Sequence, residues 1–358
     1  MTQDEADRVD RKAPRQRRRD EGASEADSPS VRKDGIGRRE ATALGIAAAS
    51  AGVLAAGMSG DAQTGTQGEA DLADASKAKD ASEARANVWD LPVTRNDRVD
   101  FFIEFLMGKN REKTALWLER IGRYGPLIES ELREAGLPQD LLYLSMIESG
   151  LDPNAYSSAD AAGLWQFIEE TGERYGLEVS RYVDERRDPV RSTRAAIKYL
   201  SELNEMFGGS WYLAMAGYNS GENRVERILN EQAGGQTGDE ALFWQIMDYL
   251  PSETRDYVPV TLAMGHIVKD PAQYGFTDID PMEPLRFDEV AVPGGTTFEE
   301  AASAAGVSVE DIASLNPHLV RGMTPPDRDY PIRVPDGQGE RVASVLQAEA
   351  TGGSRLAD

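Results

Sequence analysis

The sequence predicts a mainly α-helical protein with a small β-α-α-β module appended near its C-terminus. Three observations lead there. Between about residues 99 and 269 apolar side chains recur at helical spacing and strand-like alternation is scarce. A connector punctuated by Pro271, Pro281 and Pro284 follows. Beyond it, two short β-prone runs, 287–292 and 331–335, flank two capped helical stretches.

The elements follow in order. Residues 1–40 are charged, mixed in sign and poor in aromatics, the composition of a disordered tail. Arg38-Arg39 then precede an uncharged Ala- and Gly-rich run, 41–60, which reads as an export signal resembling the twin-arginine type or as an inner-membrane anchor. Residues 61–87 lack apolar periodicity and read as a disordered linker. Val99, Phe102, Ile103 and Leu106 mark a first helix; Leu116, Ile121, Tyr124, Ile128 and Leu132 mark a second. After Gly136-Leu137-Pro138 comes a dense apolar run, Leu141, Leu142, Leu144, Met146 and Ile147, which stops at Glu148-Ser149-Gly150. Helices are expected over 189–207, 211–218, 221–230 and 257–269, with Gly208-Gly209 and Gly234-Gly235 as breaks. This gives a helical domain over 88–276. In the module, 285–336, Thr297 with Glu300 makes a capping-box pattern and Ser308 caps the second helix. Residues 337–358 read as a polar, Ala-rich tail, either disordered or a frayed helix.

Composition narrows the chemistry. With 62 acidic against 39 basic residues the net charge is −23, which excludes a nucleic-acid backbone as partner. There is no cysteine, and the two histidines, His266 and His318, lie far apart. Thiolate sites, cysteine nucleophiles, Ser-His-Asp triads and multi-histidine metal sites are therefore not expected. An enzyme with this composition works with carboxylates, hydroxyls and amides.

Three clusters suit that chemistry. Glu148-Ser149-Gly150 ends the apolar helix and leads to a loop with Asn154, Ala155 and Ser157. Gly163-Leu164-Trp165-Gln166 follows, and Gly217-Tyr218-Asn219-Ser220-Gly221 joins two helices. A carboxylate at the tip of a buried helix can hold its proton near neutral pH, although most helix-end glutamates are merely solvated. Singly each cluster is a turn or a core segment; their order and spacing make the case.

On these residues the sequence resembles the family-1 lytic transglycosylases, with their goose-lysozyme-like SLT fold, and within them the membrane-bound lytic murein transglycosylase D branch. Glu148-Ser149 matches the catalytic pair, Gly163–Gln166 the second motif in its Trp-containing form, and Gly217-Tyr218-Asn219 the third. Glu253–Pro259 matches a fourth, whose tyrosine faces the catalytic glutamate. The resemblance implies that Glu148 is the general acid and then the base. Ser149, Ser157, Gln166, Tyr218, Asn219 and Tyr257 would bind or position the glycan and the acid. A small hydroxyl residue found in some relatives is replaced by Ala159. Glycosidases ordinarily need two carboxylates, and no second acid matches here. The resemblance supplies the reason: the C6 hydroxyl of muramic acid attacks C1 internally, so neither water nor a cofactor is required. The alternatives are a hydrolytic muramidase on the same fold and an inactive glycan-binding scaffold.

The C-terminal module resembles a LysM domain through Gly294–Thr297, Gly306-Val307-Ser308, Leu315-Asn316 and Ile332–Pro335. Glycan binding and simple packing on the helical domain both remain open for it. The resemblance implies a lysozyme-like fold, peptidoglycan glycan strands as partner, and an exported protein of the periplasm or cell envelope.

Overall fold

The computed structural model describes residues 88–353. The expected charged tail 1–40, the signal or anchor 41–60 and the linker 61–87 lie outside the described residues, as do 354–358.

Helix α1, Asp97–Met107, starts where the Asn96 side chain accepts from the amides of Arg98 and Val99. Helix α2 is Arg111–Glu134. A 3₁₀ turn, Gln139–Leu141, runs into α3, Leu142–Ser149, in which every residue from Leu142 to Ile147 is buried. Helix α3 ends at Gly150, which is left-handed (φ 63°). A Cβ there would stand 1.9 Å from the Trp117 indole nitrogen. Backbone conformation and space both demand glycine at this point.

A long loop leads to α4, Glu169–Arg174. A 3₁₀ turn, Glu185–Arg187, then precedes α5, Pro189–Met206. Asp188 caps α5 by accepting from the amides of Val190 and Arg191, with Pro189 in the first turn. Helix α6, Trp211–Ser220, is buried from Tyr212 to Ser220. It packs against α5, against α7 (Glu222–Ala233) and against α9 (Ser252–Lys269). Helix α9 also packs on α1 and α3. It begins five residues before the expected start at 257, because Pro251 rather than Tyr257 opens it, and it accommodates Pro259 in its interior. A short α8, Ala241–Ile246, was not foreseen. It buries Leu242, Phe243 and Ile246, too short a run to show a helical period.

The module is built as expected. Strand β1, Asp288–Val292, pairs antiparallel with β2, Tyr330–Val334, with Val290 opposite Ile332. Between them lie α10, Phe298–Ala305, and α11, Val309–Leu315. Thr297 with Glu300, and Ser308 with Asp311, form complete capping boxes. The expected disordered tail is corrected over most of its length: of the two readings of 337–358 the helix holds, since Gly339–Gly353 forms α12, packed on β1 and α10. Val342 and Leu346, four residues apart, enter the module's core, and Val345 packs at its edge. The polar and alanine residues around this narrow stripe conceal it in sequence.

The helical domain and the module each have a hydrophobic core. Val183, from the helical domain's own stretch of chain, is fully buried in the module's core.

Candidate active site

Glu148 occupies the last turn of α3 and is half-buried. Its partner comes from 109 residues away: the Tyr257 hydroxyl, on α9, donates to Glu148 Oε1 at 2.8 Å. Tyr257 is buried and its ring is fixed by the packing of α9 on α3. A phenol held in this way fixes the carboxyl rotamer and marks Oε1 as the accepting oxygen.

The loop after Glu148 carries the next residues, and it is strained. Leu151 (φ 56°), Asp160 (φ 59°) and Gln166 (φ 47°) are left-handed without being glycine, and all the described residues of that kind lie in this loop. Each costs about 1–2 kcal/mol, so the surrounding bonds must over-determine the conformation. They do. Ser149 Oγ donates to the Leu164 carbonyl at 2.9 Å and accepts from the Asp152 amide at 3.2 Å. Ser145 Oγ also donates to Leu164 O. Ser157 Oγ accepts from the amides of Ala159 and Ala161. Gln166 is buried, and its Nε2 donates to the carbonyls of Gly163 (2.9 Å) and Ala155 (3.3 Å). The Tyr218 hydroxyl, from α6, donates to the Trp165 carbonyl at 2.8 Å. The Trp165 indole in turn donates to Thr193 on α5.

Asn219 closes the arrangement from the end of α6. Its Oδ1 accepts from Thr254 Oγ1 at 2.8 Å. Thr254 stands three residues before Tyr257 on α9, so one helix positions both the glutamate and the amide.

Of the sequence-predicted residues, then, Glu148 and Tyr257 meet directly. Ser149, Ser157, Gln166 and Tyr218 hold the loop through backbone groups, and Asn219 is tied to α9. Sequence reasoning missed Thr254, which lies inside the matched 253–259 motif but drew no attention as a lone threonine. It also missed Arg120, whose guanidinium donates to the Gly150 carbonyl (3.1 Å) and pairs with Asp152 (3.2 Å). That side chain sits mid-helix in α2, with nothing local to mark it. The acids of the loop are already engaged, Asp152 by Arg120 and Asp160 by the Tyr156 hydroxyl at 2.8 Å.

The site thus consists of one glutamate held by a distant tyrosine, beside a braced loop bearing a buried glutamine. Residues 126–240 match the transglycosylase SLT domain, and residues 286–351 match the LysM-like domain of lytic transglycosylase MltD. The chain is 39% identical over 190 residues to "Membrane-bound lytic murein transglycosylase D" of Escherichia coli K12, covering 53% of this chain and 41% of that protein. It is also 37% identical over 103 residues to a "Putative tributyltin chloride resistance protein" of Alteromonas sp. strain M-1 (29% of this chain, 50% of that one). Among solved structures, the 70-kDa soluble lytic transglycosylase Slt70 of Escherichia coli aligns with a TM-score of 0.37 at 22% identity, over 50% of this chain and 30% of that one. The chain therefore spans about two-fifths of the length of the lytic transglycosylase relative it matches.

Proposed function

We propose that this protein is a cell-envelope lytic transglycosylase that cleaves the MurNAc-β-1,4-GlcNAc bonds of peptidoglycan and leaves 1,6-anhydromuramic ends. The hydrogen bond from Tyr257 to Glu148 carries the reading. In the protonated acid, the oxygen that accepts from Tyr257 is the carbonyl oxygen, which puts the acidic proton on Oε2. Glu148 gives that proton to the glycosidic oxygen as the C1–O bond breaks. The resulting carboxylate takes the proton of the C6 hydroxyl as O6 bonds to C1 of the same sugar. One C–O bond is exchanged for another and Glu148 regains its proton, so the cycle consumes no water. The engagement of Asp152 and Asp160 elsewhere supports a single-carboxylate scheme over a two-carboxylate hydrolysis.

In this scheme Gln166 presents its Oε1 and Asn219 its Nδ2 to the N-acetyl and hydroxyl groups of the glycan, and Tyr218, Ser149 and Ser157 keep the loop in register. Residues 41–60 serve for export or as a tether. Among the described residues no helix is long and apolar enough to cross a membrane. The test is digestion of purified sacculi, with the product ends identified by mass. We expect anhydro ends from the parent protein and no turbidity loss with Glu148→Gln. Reducing ends would make the protein a hydrolytic muramidase, and undiminished cleavage by Glu148→Gln would remove Glu148 from the chemistry.

A further inference from the structure

We infer that the LysM-like module is a clamp on the active-site loop, with Arg186 as the positioning residue that transmits its hold. The inference takes the importance of the loop from the proposed function; the clamp itself rests on geometry. The intermediary is the strap 178–188, which runs between the loop and the module.

On the module side the strap is bound along its length. Val183 pairs with Leu319 in a β-bridge and buries its side chain in the module's core. The Asp184 amide donates to the His318 carbonyl at 2.8 Å, and the Val320 amide donates to the Tyr182 carbonyl at 3.0 Å. The Tyr330 hydroxyl donates to Glu185 at 3.3 Å. Arg333, buried in β2, places its Nη2 against the fully buried Asp188, donating to Oδ1 at 2.9 Å and lying 2.7 Å from Oδ2 as an ion pair. A buried ion pair of this kind ties β2 to the strap, because loss of either partner would leave the other as an uncompensated buried charge.

On the other side the strap is pressed into the loop. A Cβ on Gly163 would lie 1.7 Å from the Arg186 carbonyl, so the two backbones are in direct contact. The Arg186 guanidinium is buried. Its Nε and Nη2 donate to the two Asp184 oxygens at 2.8 Å each, while Nη1 donates to the carbonyls of Asp160 (2.8 Å) and Phe167 (3.2 Å). These two carbonyls bracket Gly163–Gln166: one belongs to the strained Asp160 and the other directly follows the strained Gln166. Asp184 thus joins both sides: its amide is bonded to the module and its carboxylate aims the arginine that grips the loop. A module tethered only for glycan capture has no use for such a chain of buried contacts. A strained loop does, because its conformation persists only while its surroundings enforce it.

The test is hydrogen exchange on the full chain, without substrate, read beside cleavage kinetics on sacculi. Arg186→Lys keeps the charge but loses the planar fork. Arg333→Gln cuts the link from the module. Asp188→Asn with Arg333→Met removes the same ion pair without leaving a buried charge, should Arg333→Gln fail to fold. Each variant is expected to speed exchange in peptides covering 155–167 by about tenfold, the equivalent of one hydrogen bond, with α6 and α9 peptides unchanged. Each is also expected to lower kcat more than it raises KM. Unchanged exchange in 155–167 after either module-side substitution overturns the clamp. So does equal acceleration throughout the helical domain, which would mean general stabilisation only. If the parent protein fails to cleave sacculi, the proposed activity falls, and the clamp is still decided by exchange.

Discussion

Tyr257→Phe isolates the contact on which the active-site reading depends. The phenol is buried, makes a 2.8 Å bond to Glu148 Oε1, and sits on a helix packed against α3. Phenylalanine retains the ring and its packing, so only the hydroxyl is lost. A hydrogen bond to a charged group contributes about 1.5–3 kcal/mol. If it acts in full on the carboxylate formed as the proton leaves, the rate falls by about 10- to 150-fold. Global stability changes by about 1 kcal/mol, the ordinary net value of one hydrogen bond. The assay is turbidity loss of purified sacculi at saturating substrate, with thermal melting as the control for folding. Adding Tyr257→Phe to Glu148→Gln should lower activity no further, because the two side chains act as a unit. A kcat within threefold of the parent, in a protein that melts normally, would refute the positioning role of Tyr257.

Two further outcomes follow from the same geometry. Gly150→Ala combines a left-handed backbone with a collision against the Trp117 indole at 1.9 Å. It should destabilise by about 2–5 kcal/mol, from strain and overpacking together, in urea titration; a loss under 1 kcal/mol would show that α3 can end without glycine. His318 gives a pH signature. Burial holds its imidazole down to about 4, with the cations Arg333 and Arg191 acting in the same direction and Asp188 against it. As pH falls from 6.5 the unfolded chain therefore takes up the proton first, and stability is lost progressively until the folded value near 4 is reached. The gap corresponds to at most about 3–4 kcal/mol. His318→Gln should flatten the urea-midpoint profile between pH 6.5 and 4.5, and an unaltered slope would assign the dependence to another group.

Much of the fold was legible in the chain because its helices carry local, periodic apolar faces and strong punctuation. Thr297 and Ser308 cap where the sequence places capping residues, and Gly150 and Gly234 stop helices in the left-handed conformation. What escaped was marked weakly. Helix α8 is too short to display a period, and α12 offers only Val342, Val345 and Leu346 as an apolar stripe.

The sequence by itself determined that this is a helical domain followed by a β-α-α-β module. It also determined that any chemistry falls to carboxylates, hydroxyls and amides, and that Glu148 ends a buried helix. These follow from composition and from short-range spacing. Only the tertiary structure decided which groups meet. The contacts that define the site, Tyr257 with Glu148, Thr254 with Asn219 and Tyr218 with Trp165, join residues 109, 35 and 53 positions apart. The clamp spans further still, with Arg333 reaching Asp188 across 145 residues. Contacts at such separations are set by how helices and strands pack on one another, and no local pattern of residues records that packing.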